Sequence, residues 1–366
     1  MKYQKKMIKK KKIIIFIPSI ESGGVEKNLF ILINYLKKFY LELYVVTSSK
    51  IRFNKKIKVI FPQSNFWGNK NRLLKSIICS YLLLSYFKEK DVLIISFQSN
   101  IFSLIISKLK KWPILIRLNT SPQKYIKNFI KLNAYKFLYK LSDEIIVNSV
   151  EFKNNIKKLL NLNALVILNP ILRYKYKKRK ITFIKNFKGL KIINIGRLTD
   201  QKDQITLLKS IKLLLNKHKI DLKLVIIGKG KNYDFLKKFI NDNDLKKNIY
   251  LAGYKKDAQE YIKLFDLFIL SSKYEGLPNT LIEAQMSGVP IISSDCQSGP
   301  KEILLNGKLG ILYKTGDYFE LYRKLLIFIK NKNKYQKKTV LAKKYLNRYD
   351  YKNNLKKYLN IINKYI

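Results

Sequence analysis

The sequence predicts an α/β protein built from two Rossmann-like domains, each a doubly wound parallel sheet. Three observations predict it. Short apolar runs without in/out alternation recur along the 366 residues, segments with a helical apolar stripe separate them, and the rhythm breaks once, in a basic stretch near the middle, before restarting. A chain of this length exceeds what a single core usually sustains.

The first half opens on the strand "KIIIFIP", followed by a helix in which Val25, Leu29, Leu32, Ile33 and Leu36 share a face. The strands "LELYVVTS" and "IKVIF", a helix over about 71–88, "DVLIIS", a helix over 100–110, "PILIRL", a helix over 124–141, "EIIVNS" and "ALVILN" continue it. The basic stretch 173–189 reads as an interdomain linker. Beyond it come "LKIINIG", a helix striped by Leu207, Leu208, Ile211, Leu214 and Leu215, and the strands "LKLVIIG", "NIYLAG", "DLFILSS" and "VPIISSD". The expected domains are 1–172 and 190–350, with a C-terminal helix over 351–366 that packs back on the first.

The formal charge is +51, almost all of it from Lys in a chain also rich in Ile, Asn, Tyr and Phe. That mixture fits A/T-rich coding as well as it fits an anionic partner. Nucleic acid is not expected as a partner, because the charge is spread along the chain and no nucleic-acid-binding signature accompanies it. Cys79 and Cys296 stand alone, which fits a reducing cytoplasm and neither a disulfide framework nor a zinc site. The opening "MKYQKKMIKKKKIIIFIPSI" has too short an apolar run for a signal peptide and reads as a first strand. No stretch suits a membrane span. Leu73–Phe87 reads first as a helix packed on a sheet and second as an interfacial helix, which with the Lys excess gives an expectation of peripheral contact with an anionic membrane.

Ligands of doubly wound sheets bind beyond the carboxyl ends of the strands, so chemistry is sought in the strand-to-helix loops. In "PSIESGGVEKN", residues 18–28, Gly23 and Gly24 permit positive φ and close backbone approach at a helix start. In "GRLTDQKD", residues 196–203, Arg197 and Lys202 combine a bidentate fork with a compact ammonium, a pair suited to a diphosphate. "IGKGKN", residues 227–232, reads as a structural turn. In "SSKYEGLPNTLIEAQMSGVPIISSD", residues 271–295, a strand end leads through Pro278 and Asn279 into a helix that stops at Gly288. Glu275 lies before that helix and Glu283 in its early turns, where a carboxylate can accept hydrogen bonds from vicinal hydroxyls such as those of a ribose. Asp242-Asn243-Asp244, in a polar connection, reads as a turn, and no metal is called for.

Together with "VNS" at 147–149, "NP" at 169–170 and "LAGYKKD", these motifs resemble the retaining glycosyltransferases of family 4, the group 1 transferases of GT-B fold, over nearly the whole chain. The acids eight positions apart behind the Arg-to-Lys loop are the most specific feature. The resemblance implies two domains facing across a cleft, with Arg197 and Lys202 on the diphosphate of a nucleotide-sugar donor, Glu283 on its ribose and Glu275 at the transferred sugar. It implies further donor contacts from Gly276, Leu277 and Asn279, Tyr254 beside the base, and Gly24 closing on the phosphate. Where the family often has a His, this chain reads "ILIRLNTSP", so Arg117 and Asn119 are candidates for the acceptor side.

"SDCQSGPKEIL" resembles branches that add hexoses such as galactose, or N-acetylhexosamines, to lipid-linked or surface glycans from UDP donors in polysaccharide biosynthesis. The implied reaction is hexosyl transfer with retention, with no cofactor. Arg197, Lys202 and a helix amino end would stabilise the leaving diphosphate. A nucleotide-sugar epimerase of the same architecture and a non-catalytic polyanion binder are the alternatives. The first would release altered sugar without an acceptor, and the second would bind with steep salt dependence.

Overall fold

The computed structural model describes residues 11–20, 23–51, 53, 57–119, 126, 128–172 and 179–366. The chain divides into two compact units. One comprises the residues up to Ile171 together with Tyr349–Ile366, and the other comprises Leu172–Arg348.

The first unit runs β1 (Lys12–Phe16), α1 (Gly24–Leu36), β2 (Leu43–Val46), β3 (Lys58–Ile60), α2 (Arg72–Tyr86), β4 (Val92–Ser96), α3 (Asn100–Lys110), β5 (Ile114–Arg117), α4 (Phe129–Lys140), β6 (Glu144–Val147), α5 (Val150–Leu160) and β7 (Leu165–Val166). Its parallel sheet has the order β3-β2-β1-β4-β5-β6-β7. The unbroken apolar run of β1 is buried on both faces, as parallel strands require. Ile13 and Ile15 join Leu29, Leu32 and Ile33 of α1 on one side, while Ile14 and Phe16 join Cys79 and Leu83 of α2 and Phe152 of α5 on the other. The start of the helix expected over 124–141 falls partly outside the described residues, and "ALVILN" forms only the two-residue β7.

The second unit runs β8 (Leu190–Ile195), α6 (Gln204–Lys217), β9 (Leu222–Ile227), α7 (Tyr233–Asp242), β10 (Ile249–Leu251), β11 (Leu267–Leu270), α8 (Asn279–Ser287), β12 (Ile291–Ser294), α9 (Pro300–Ile303), β13 (Ile311–Tyr313), α10 (Tyr318–Lys330) and α11 (Lys332–Tyr345). Its parallel sheet has the order β10-β9-β8-β11-β12-β13. In each sheet the chain order reverses beside the first strand, at β1/β4 and at β8/β11. A doubly wound sheet binds its ligand beyond the strand ends at such a point. The Asp242-Asn243-Asp244 triplet closes α7 and turns the chain, with Asp244 at φ 52°.

A final helix, α12 (Tyr351–Ile362), belongs to the first unit. It packs against α1 and buries Leu355, Tyr358, Ile361 and Ile362 against the sheet face that α1 covers. Tyr40 Oη donates to Asn363 Oδ1 just beyond it at 2.7 Å. Of the stretch read as linker, 173–178 lie outside the described residues, whereas 179–189 pack on the second unit. Ile181 and Ile184 are buried there, and Phe183 stacks on Tyr250 at 5.3 Å. Apolar residues among the lysines anchor what composition alone reads as a free tether.

Candidate active site

The loop from β8 to α6 carries Arg197 and Lys202, and its shape is fixed by the neighbouring loop after β9. Leu198 N–H donates to Lys229 O and Asn232 N–H to Leu198 O, each at 3.0 Å. A Cβ on Gly228 would stand 1.8 Å from Gly196 O, and one on Gly230 would stand 2.3 Å from Leu198 O. Only glycine admits this approach. "IGKGKN" is thus the structural turn its sequence suggests, and it supports the Arg197 loop. Gln204 Nε2 donates to Arg197 O at 3.0 Å, and the Arg197 side chain is exposed at the loop's start.

Lys202 turns back over Gly196 and meets Glu275, which comes from the loop after β11. Lys202 Nζ lies 2.5 Å from Glu275 Oε1, and Ser272 Oγ donates to the same oxygen at 2.6 Å. The two loops are tied further by Ser271 Oγ donating to Lys202 O at 2.8 Å and by Lys273 N–H donating to Gln201 O at 2.8 Å. These bonds bridge β8 and β11, the two strands of the switch point. Glu275 is 8% exposed, a burial that a carboxylate sustains only when paired.

Behind this pair lie residues that the sequence reading did not single out. Ser294 Oγ at the end of β12 donates to Ser272 O at 2.7 Å. Gly299 stands at φ 99°, and a Cβ there would fall 2.1 Å from Gly276 O, so the Ser298–Gly299 turn closes directly on the Glu275–Gly276 loop. The signal for the serines was present in "LSS" and "ISS", polar pairs ending buried apolar strands. Cys296 is buried here, and its thiol is pushed up to about 12 by burial, with the Glu275 charge as the second cause. It therefore stays protonated and unreactive at neutral pH.

Leu277 and Asn279 are buried where the loop enters α8, and Glu283, 6% exposed, lies in the middle of that helix. Gly288 ends α8 at φ 69°. Tyr254 sits beyond β10, 54% exposed, with Lys229 Nζ 5.4 Å from its ring centre, and Gly253 O accepts from Gly228 N–H at 2.9 Å.

In the first unit Gly24 is the exposed first residue of α1. Neither Gly23 nor Gly24 uses the positive φ that a glycine permits. Gly23 is extended at φ −133°, and its missing Cβ leaves room for the carboxylate of Glu26, 2.7 Å from where that atom would stand. Glu21 and Ser22 of the same motif lie outside the described residues.

Arg117 corrects the expectation of a direct acceptor contact. It is 2% exposed, with its guanidinium between the rings of Phe97 and Tyr358 at 5.5 and 5.6 Å. Its Nη2 donates to Asn169 Oδ1 at 2.7 Å and its Nε to Asn119 Oδ1 at 3.2 Å. Burial lowers its pKa to about 10. It holds Asn119 from within, and the half-buried Asn119 donates in turn to Phe97 O at 2.8 Å.

The second unit thus joins an acid and a cation across a switch point, with a second buried acid on the helix that follows. The family model described as glycosyl transferases group 1 matches residues 176–344. This unit is a group 1 glycosyltransferase domain, and the chain is a glycosyltransferase. The glycosyltransferase is 37% identical over 205 residues to MJ1059 of Methanocaldococcus jannaschii, described as an uncharacterized glycosyltransferase, a match spanning 50% of each chain. It is 26% identical to a 4-alpha-N-acetylgalactosaminyltransferase of Campylobacter jejuni acting on N-acetylgalactosamine-N,N'-diacetylbacillosaminyl-diphospho-undecaprenol, over 86% of this chain and 89% of that one. Anabaena Alr3699/HepE, solved in complex with UDP-glucose, superposes with a TM-score of 0.78 at 17% identity, over 97% of this chain and 100% of that one. At that identity the likeness carries the fold, which is GT-B.

Proposed function

We propose that the glycosyltransferase moves a hexose or N-acetylhexosamine from a UDP-sugar to a glycan or lipid-linked acceptor in cell-surface polysaccharide biosynthesis, with retention of configuration. The observation that carries this reading is the Lys202–Glu275 pair at the β8/β11 switch point, with α8 beginning just beyond it. Lys202 and Arg197 hold the diphosphate and stabilise the charge that develops as it leaves. Removal of one such contact typically costs about 100- to 1,000-fold in rate. Glu283 takes the ribose hydroxyls. Leu277, Gly276 and Asn279 line the donor, and Tyr254 borders the base.

Glu275 orients the sugar. Lys202 and Ser272 both occupy Oε1, so Oε2 is the atom it offers to a sugar hydroxyl. An ion-paired carboxylate is a damped nucleophile, which supports departure and attack on one face of the sugar rather than a covalent glycosyl-enzyme. The UDP-glucose complex of Alr3699/HepE and the undecaprenol-linked acceptor named for the Campylobacter jejuni relative support the donor and acceptor classes. On the acceptor side the reading keeps Asn119 and gives Arg117 the role of positioning it.

The test is incubation with a panel of UDP-hexoses and UDP-N-acetylhexosamines and a diphosphate-lipid acceptor, following UDP release and the anomeric signal of the product by NMR. An α-linked product from an α-donor is expected. A β-linked product contradicts retention, and an epimerised free sugar formed without acceptor points to the epimerase instead.

A further inference from the structure

Two consecutive serines follow β11, and each ties down a different half of the site. Ser271 Oγ donates to the backbone oxygen of Lys202 at 2.8 Å, and Ser272 Oγ donates to Glu275 Oε1 at 2.6 Å. Both serines are fully buried, so each acts through the residue it holds, and water does not compete for either bond. Ser272 is itself held from the neighbouring strand, where the equally buried Ser294 Oγ donates to Ser272 O at 2.7 Å.

Lys202 shares Glu275 Oε1 with Ser272, and the two donors differ in what else they can serve. The Lys202 ammonium carries three N–H donors on a long stem, keeps 17% of its side chain exposed, and has the leaving diphosphate as a second claimant. As negative charge builds on that diphosphate, the ammonium is drawn towards it and its hold on Glu275 weakens. Ser272 has a single hydroxyl proton, and it is given to the carboxylate.

We propose, resting on the donor contacts given to Lys202 and Glu275, that Ser272 is a positioning residue for sugar selection. It keeps Glu275 in place while Lys202 turns to the diphosphate, whereas Ser271 serves the diphosphate side by fixing the Lys202 backbone. With Oε1 fixed, Oε2 meets a sugar hydroxyl from one direction, and an epimer whose hydroxyl lies elsewhere leaves that oxygen unpaired. A carboxylate free to swing would accept either epimer.

Steady-state kinetics and UDP titration of the full chain test this, comparing the parent with S271A, S272A and S272T on UDP-glucose, UDP-galactose and their N-acetyl counterparts. Circular dichroism and melting temperature show which variants are folded. S272A is expected to bind UDP within about twofold of the parent, to lose about tenfold in kcat with the preferred donor, and to bring the two epimers within about twofold of each other. S271A is expected to weaken UDP binding by about threefold and to keep the parent's epimer preference. S272T retains the hydroxyl and should retain the preference.

A parent that accepts both epimers alike, a folded S272A that keeps the parent's preference, or a folded S272T that loses it overturns the proposal. So does an S271A that loses the preference as S272A does. Should S272A not fold, S294A makes the same comparison one bond further back, and an unchanged preference there overturns the proposal equally. A parent that neither binds UDP nor releases it from any of the four donors overturns the donor reading itself, and the role of Ser272 with it.

Discussion

Lys202 Nζ lies 2.5 Å from Glu275 Oε1, joining the loops after β8 and β11. With Lys202 removed, Glu275 keeps the Ser272 hydroxyl but loses its countercharge at 8% exposure. Lys202→Ala should therefore destabilise the fold by about 3 kcal/mol, and Lys202→Met/Glu275→Leu by less than the sum of its single changes. Denaturant unfolding of the full cycle checks this, with a coupling of at least about 1 kcal/mol expected. Additive effects would mean that the pair does not interact.

The two glycine contacts behind Arg197 make a sharper steric prediction. Gly228→Ala places a methyl 1.8 Å from Gly196 O, where only backbone movement makes room. Overpacking of this kind costs about 1–3 kcal/mol or more. Because the atom struck belongs to the Arg197 loop, UDP affinity should fall with stability. Gly253→Ala meets nothing within 4 Å but stands at φ 66°. It should cost about 1 kcal/mol through backbone strain alone, measurable by the same unfolding curves.

Arg117 is expected to be a stability residue first. Arg117→Ala removes one hydrogen bond from each of Asn119 and Asn169 and leaves a cavity between Phe97 and Tyr358, so a loss of about 3–5 kcal/mol is expected, seen in thermal melts. Arg117→Lys cannot reproduce bonds from both Nε and Nη2. It should recover only part of that loss.

Asp203 gives a pH dependence. It is buried at the start of α6 at φ 47°, accepts from Thr206 Oγ1 at 2.8 Å, and has Lys273 3.9 Å away. Burial raises its pKa above the ordinary 3.8, opposed by Thr206 and by the Lys273 and Lys209 charges. Through the window just above 3.8 the folded state holds more protons than the unfolded one, so this group's contribution to stability falls as pH rises. Asp203→Asn keeps the acceptor and tolerates the backbone. Its melting temperature relative to the parent should be higher at pH 7 than at pH 3, and an unchanged difference would contradict the assignment.

The candidate site was legible in part, because Arg197, Glu275 and Glu283 are out of character with the chain. Acids and arginines are scarce among the lysines, and those at the ends of buried apolar runs stand where a doubly wound sheet puts its ligand. Composition could not show that Arg117 lies inside the core, since that depends on Phe97, Asn169 and the distant Tyr358 meeting around it. Nor could it show that residues 179–189 are anchored by Ile181 and Ile184. Ser272 and Ser294 went unnoticed for the same reason: their roles are set by loops far apart in the chain.

The central claim is that the second unit holds the diphosphate and ribose of a uridine nucleotide through Arg197, Lys202 and Glu283. Calorimetric titration of UDP into the parent, Arg197→Ala and Glu283→Ala tests it most directly. Saturable binding by the parent and at least about a tenfold loss in each folded variant are predicted. Equal UDP affinity in all three proteins, or a parent that does not bind UDP, would contradict it.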